Sequence, residues 1–176
     1  MTGGEKERLA GAVERIAEDI CLAARTAPKA RGLDLLESAI VKGDDILKLS
    51  AKMKEIGERE RHNTFLRDSE NIKNAQAIVL LGTRLKILGL KYCSFCGQPD
   101  CAAAEKAGVI CAYNSGDLGI AIGSAVAVAA DRRLDNRVMY SVGKAAVEMK
   151  LLGEGVAIAF GIPLAATGKN PFFDRQ

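Results

Sequence analysis

Tryptophan is absent from this chain of 176 residues, and histidine occurs once, at His62. A single imidazole excludes mechanisms that need two histidines within one chain. Charge of one sign is missing too: 25 Lys and Arg stand against 22 Asp and Glu, a formal net charge of +3. That balance excludes a nucleic-acid footprint unless the cations gather on one face, so no nucleic-acid partner is expected. Long apolar runs are also lacking. The longest, residues 118–130, has 13 residues between Asp117 and Asp131, short of the ~20 that span a bilayer. The N-terminus, Met-Thr-Gly-Gly-Glu-Lys-Glu-Arg, mixes acids with bases and has no apolar core of the signal-peptide kind. The expectation is a cytoplasmic protein with no membrane partner. What is present, 48% hydrophobic and 27% charged residues, suits one soluble domain over residues 1–176 with a real core, and excludes disorder and collagen-like repetition.

Apolar periodicity places the elements. Leu9, Val13, Ile16, Ile20 and Ala24 recur at steps of four, three, four and four, which predicts an amphipathic helix over residues 5–24 that ends near Pro28. A basic turn follows, Arg25-Thr26-Ala27-Pro28-Lys29-Ala30-Arg31-Gly32, and then residues 33–41, whose state the pattern leaves open. Gly43-Asp44 opens a second helix carrying Ile46, Leu49, Met53 and Ile56 to about Arg61. Asn63 or Thr64 is expected to cap a third, with Phe65, Ser69 and Ile72 inward. Residues 77–81 read as a buried strand closed by Gly82. Residues 118–130 are expected to be helical, with so little bulk at Gly119, Ala121, Gly123 and Ala125 that another backbone or a flat ligand could come close. Asp135 or Asn136 is expected to cap a further helix carrying Val138, Val142, Ala145 and Met149, and residues 156–160 form a second buried strand before Gly161-Ile162-Pro163. This order predicts an α+β body, layered in the α/β manner.

Five cysteines is an odd number, and without a secretory context they are expected as metal ligands or free thiols rather than a disulfide framework. Cys93-Ser-Phe-Cys96-Gly-Gln-Pro-Asp-Cys101 is followed by Cys111, a C-x2-C-x4-C-x9-C pattern within a segment, residues 89–111, that is poor in charge. Four thiols so close together point to one metal centre. Structural zinc usually takes two C-x2-C knuckles, and only one is present. An iron–sulfur cube is larger than one ion, and runs of two and four residues between ligands suit it. Gly97 lets the chain turn tightly around such a cube, with backbone amides able to tune it. Structural zinc and a C-x-x-C redox dithiol are the alternatives. Cys21, beside Ile20 on the first helix, reads as a small core hydrophobe.

The cysteine run and the following Cys111-Ala-Tyr-Asn-Ser-Gly-Asp-Leu-Gly-Ile-Ala-Ile-Gly-Ser-Ala resemble the ferredoxin-domain proteins of anaerobic bacteria and archaea. The likeness extends to Ala24-Arg-Thr-Ala-Pro-Lys-Ala30 and to the tail Gly161-Ile-Pro-Leu-Ala-Ala-Thr-Gly-Lys-Asn-Pro-Phe-Phe-Asp174. It implies a four-iron cluster on Cys93, Cys96, Cys101 and Cys111 and supplies no reaction. The C-x2-C-x4-C part is also similar to the cluster domain of corrinoid iron–sulfur proteins, whose fourth cysteine lies farther away. The body resembles the FMN-dependent nitroreductases, which open with an amphipathic helix and an Arg-Ser/Thr turn for the flavin phosphate, here Arg25-Thr26 with Lys29 and Arg31. Asp117-Leu-Gly-Ile-Ala121 and Gly161-Ile162-Pro163 are similar to later motifs of those enzymes. That likeness implies a nitroreductase-like fold with a cysteine-rich insert, FMN at the basic turn, and a homodimer joined through residues 118–130.

Other residues carry weaker signals. Thr167-Gly168-Lys169-Asn170 could set amides and a lysine near an anion but lacks the glycine spacing of a P-loop. Asp117 is expected to cap the helix that follows it, and His62 to satisfy carbonyls at a helix end. The resulting expectation is a cytoplasmic iron–sulfur redox protein, with a flavin-linked oxidoreductase as its sharpest form and an unnamed redox protein as partner. A non-enzymatic electron carrier and a zinc-stapled binding protein are the rival readings.

Overall fold

The computed structural model describes residues 4–173. Residues 1–3 and 174–176 lie outside the described residues, and with them the start of the N-terminal stretch and Asp174 of the tail resemblance. The elements are α1 (Glu5–Thr26), β1 (Leu36–Val41), α2 (Asp44–Arg59), α3 (Asn63–Ile72), β2 (Ala77–Arg84), α4 (Cys101–Lys106), α5 (Ala112–Asp131), β3 (Asp135–Asn136), α6 (Tyr140–Glu148) and β4 (Val156–Ala165). The four strands form one antiparallel sheet in the order β1-β2-β4-β3. Because successive side chains alternate across a sheet, β2 sends Ile78 and Leu80 to one face and Ala77, Val79 and Leu81 to the other. The first face packs on α2, α3 and α6, the second on α1 and α5. Both faces are covered, which is why residues 77–81 are a continuous apolar run and wholly buried.

Two glycines let α6 sit down on the sheet. A Cβ at Gly143 would lie 1.8 Å from the carbonyl oxygen of Ala159, and one at Gly161 would lie 2.1 Å from Val142. β4 is interrupted on the side that faces β3. Gly161 exchanges both backbone hydrogen bonds with Met139, and the next donor facing that edge would be Pro163, which has no N–H. The β3 edge therefore stays short. At the opposite side of the helical layer, α3 and α6 are joined by the buried carboxylate of Asp68, which accepts from Ser141 Oγ at 2.6 Å and Arg67 Nη2 at 2.8 Å.

Several expectations are corrected. Residues 33–41, left open, contain β1, an edge strand with mixed exposure that gives periodicity little to show. Asp135 and Asn136 cap nothing; they form β3, and α6 starts only at Tyr140. The third helix includes Asn63, and the backbone carbonyl of His62, not a side chain, accepts at its start. Strand β2 continues through Gly82 to Arg84. The expected helix at 118–130 is present and longer, as α5. Of its small residues, Ala121 and Ala125 are buried on the α1 side, whereas a Cβ at Gly119 or Gly123 would meet nothing within 4 Å. Among the described residues no helix is long and apolar enough to cross a membrane.

Candidate metal centre

Strand β2 ends at Arg84, and the chain does not return to the body until α5 begins at Ala112. Between them only α4 is regular. Backbone φ is positive at Gly89, Tyr92, Ser94, Gly97 and Gly108, so the chain coils tightly through this stretch. The coil is held locally: Gly97 N–H donates to Ser94 O at 3.0 Å, and Ser94 Oγ to Pro99 O at 3.0 Å. Asp100 caps α4 by accepting from Ala103 N–H at 2.8 Å, which fixes Cys101 in the first turn. Cys111 stands immediately before α5, at the positive end of a 20-residue helix. Such a position favours negative charge by about 0.3–1 kcal/mol.

Cys93, Cys96, Cys101 and Cys111 all line one pocket, together with Leu88, Leu90 and Tyr113. All four are free thiols; Cys111 is buried and the others half-buried. Tyr113 of this lining stacks on the exposed Phe95, with ring centroids 6.1 Å apart and planes 20° from parallel. Among the described residues no three His, Cys, Asp or Glu side chains stand close enough to hold a single ion. Thiolates on one zinc ion lie about 2.3 Å from it and so about 3.8 Å from one another. A polynuclear cluster spans a wider set, and an all-thiolate ligand set in an apolar wall fits it. The pocket volume is about 20 Å³, room for one water.

The basic turn is engaged with the protein itself. Arg25 Nη1 donates to Asp34 Oδ2 at 2.8 Å and to Leu36 O at 2.7 Å, while Lys29 Nζ stands 4.0 Å from Asp34 Oδ1. Lys29 also covers the end of α1, donating to the carbonyls of Ala24, Arg25 and Ala27. Thr26 Oγ1 returns to Leu22 O at 3.0 Å, and Arg31 Nη1 reaches Leu88 O at 2.9 Å. Burial on its own raises the Asp34 carboxyl, but the Arg25 hydrogen bond, the Leu36 N–H and the charges of Arg25 and Lys29 hold it below the usual carboxylate range. An internal carboxylate thus stands where the sequence pointed to an external phosphate. As built, the turn holds its cations on partners within the chain. It ties the cysteine segment to the body through Leu88 and is itself anchored on α5 through Asp117. Asp117, inside α5 rather than capping it, accepts from Ala30 N–H at 3.1 Å.

The remaining expectations resolve as follows. His62 shares a 3.2 Å hydrogen bond with Tyr140 Oη and meets Phe65 edge-on, instead of satisfying carbonyls. Thr167 Oγ1 donates to Lys169 O, and Asn170 Oδ1 accepts from Phe172 N–H, so that loop closes on itself. Cys21 packs against the α1 side of the core, where burial, with some help from Glu18, pushes its thiol up to about 11. Asp34 and Asn114 were not anticipated. A signal existed for Asn114, a polar residue on the same helical stripe as Leu118, Ala121 and Ala125, and it is 3% exposed.

The family model of uncharacterized proteins containing a ferredoxin domain (DUF2148) matches residues 107–175. An uncharacterized protein of Archaeoglobus fulgidus is 40% identical over 161 residues, 86% of this chain and 85% of that one. This chain belongs to the ferredoxin-domain family. The family match takes in Cys111 alone of the four thiols, whereas the archaeal relative spans most of the chain. In three dimensions the ferredoxin-domain chain is similar to a BluB-like flavoprotein from Clostridium difficile 630, with a TM-score of 0.60 at 16% identity over 97% of this chain and 84% of that one. Nitroreductase CinD from Lactococcus lactis, solved with nicotinic acid, gives 0.61 at 17% over 92% and 84%. A nitroreductase with bound FMN from Desulfitobacterium hafniense gives 0.58 at 16% over 99% and 85%. At these identities the likeness is one of fold: the body has the nitroreductase fold.

Proposed function

We propose that this chain is a cytoplasmic iron–sulfur redox protein in which Cys93, Cys96, Cys101 and Cys111 hold a four-iron cluster on a nitroreductase-like body. The observation that carries this reading is the convergence of all four thiols on one pocket. Membership of the ferredoxin-domain family supports it. A bound cluster supplies one-electron transfer. The chain's own residues position it: Asp100 orients the first turn of α4, α5 turns its positive end toward Cys111, and Tyr113 adds an aromatic ring to the pocket wall. The pairing of Asp34 with the basic turn favours a cluster-only carrier over a flavin-linked enzyme.

A homodimer through α5 is part of the proposal. From Leu118 to Ala130 that helix carries no charge, and Ile120 is 48% exposed on its outer side. Anaerobic purification followed by iron, sulfide, zinc and flavin analysis tests the whole reading. Iron and sulfide in equal amounts, with visible absorption that dithionite bleaches, are expected, together with a dimer on sizing. A colourless protein holding one zinc overturns the cluster, stoichiometric FMN overturns the cluster-only form, and a monomer overturns the α5 interface.

A further inference from the structure

One turn is bonded to both walls of the cysteine pocket. Leu88 and Cys111 line that pocket from the two ends of the cysteine segment. Ala30 N–H donates at 3.1 Å to Asp117 of α5, the helix that opens behind Cys111, and the next residue, Arg31, donates from Nη1 to Leu88 O at 2.9 Å. The same nitrogen lies against Gly89, where a Cβ would be 3.8 Å away. From Leu90 to Ala103 the side chains hydrogen-bond only within the segment among the described residues, so Arg31 makes the last hydrogen bond from the body before the loop of Cys93, Cys96 and Cys101. Arg31 does this from a backbone that does not suit it. Gly32 N–H closes a turn on Lys29 O at 2.9 Å, and at the third residue of that turn Arg31 has φ 57° and ψ 16°. The left-handed region favours glycine or asparagine there and strains an arginine. Ser94 and Lys150 share that region, but their side chains bond within five residues, whereas Arg31 reaches across 57.

We propose that Arg31 is a positioning residue for the metal centre: from a strained turn fixed on α5 it holds the Leu88 carbonyl, which keeps the loop of Cys93, Cys96 and Cys101 closed against Cys111 and slows the loss of bound metal. A strained residue persists only where the surrounding structure holds it, and such strain gathers at functional sites. A guanidinium on a carbonyl makes a charge-assisted hydrogen bond, stronger than a neutral one. This role rests on the reading that the four thiols hold a metal, and it is the same for a cluster and for a zinc ion.

The full chain, reconstituted anaerobically once with iron and sulfide and once with zinc, is challenged with excess EDTA, and metal release is timed beside urea denaturation of the EDTA-treated chain. Arg31→Gly and Arg31→Asn both suit the left-handed backbone and both remove the guanidinium. Each is expected to release metal about tenfold faster, with a urea midpoint no lower than that of the native chain. Arg31→Lys keeps a cationic donor on a long stem, which suffices for a single carbonyl, and is expected to release within about threefold of the native rate and to retain the native visible circular dichroism of the iron form. Metal that is taken up and then lost alike by all variants overturns the role, and so does a lysine variant no slower than the glycine one. Faster release that comes only with a lowered urea midpoint also overturns it, as the mark of a merely structural residue. A native chain that takes up neither metal overturns the metal-centre reading and this role with it.

Discussion

The body and the cysteine segment of this chain are built on opposite terms. In the body, residues 78–81 are wholly buried, both sheet faces are covered by helices, and a buried acid such as Asp68 has its partners within hydrogen-bond distance. In the segment that follows β2, Tyr92 is 108% and Phe95 74% exposed, and Leu88, Ala104 and Cys111 are its only buried side chains. Ordering a residue costs on the order of 1–2 kcal/mol in backbone entropy alone. The body offsets that with apolar burial, whereas the segment has too little to do so. The difference teaches where the stability of each part comes from: packing for the body and, on the proposed reading, ligand bonds to thiolates for the segment.

The comparison can be broken most forcefully in the body. Gly143→Val would drive a side chain into the Ala159 carbonyl, a backbone atom that cannot yield, and is expected to cost about 3–5 kcal/mol. Urea denaturation should show the lost stability, and metal content should fall with it, since the segment has no scaffold of its own. Cys111→Ser tests the reverse direction. It should remove nearly all bound metal while lowering the unfolding free energy of the body, read from urea denaturation, by no more than about 1 kcal/mol. Global unfolding of that variant would show that the two regions are one cooperative unit. The smallest effect sharpens the contrast between the thiols themselves. With its thiol pushed up to about 11 from an ordinary 9.0, Cys21 should hold about a hundredfold less thiolate than a free cysteine at pH 8. In chelator-treated protein, iodoacetamide should label the four segment cysteines first and Cys21 last, as read by mass spectrometry. The folded thiol binds its proton more tightly than the unfolded one, so this contribution to stability is complete below pH 9 and lost as pH rises through about 11.

Much of the fold was legible because helices announce themselves locally. Val13, Ile20, Ile46, Leu49 and Met53 were assigned inward from spacing alone, and all are buried. The antiparallel partners were not legible. Strand β3 is two residues whose only reason to be a strand is Leu164 and Ala165, some thirty positions later, so Asp135 and Asn136 look like helix caps until β4 is present. The same limit applied to the candidate site. The cysteines could be picked out by their spacing, and the structure brings them to one pocket. The basic turn could be seen but not its neutralisation, since Asp34 approaches Arg25 and Lys29 only after the chain folds back through Gly32.

By itself, then, the sequence determined the cluster of four thiols, the inward faces of the long helices and the shortness of its apolar runs, all of which depend on residues within a few turns of one another. Tertiary structure decided the rest. It gave Arg31 to Leu88, Asp117 to the Ala30 amide across 87 residues, and Asn114 to the Lys86 amide across 28. Hydrogen bonds and ion pairs of this kind are short-ranged and directional, so they follow from where the backbone finally places each group and not from the order of the residues along it.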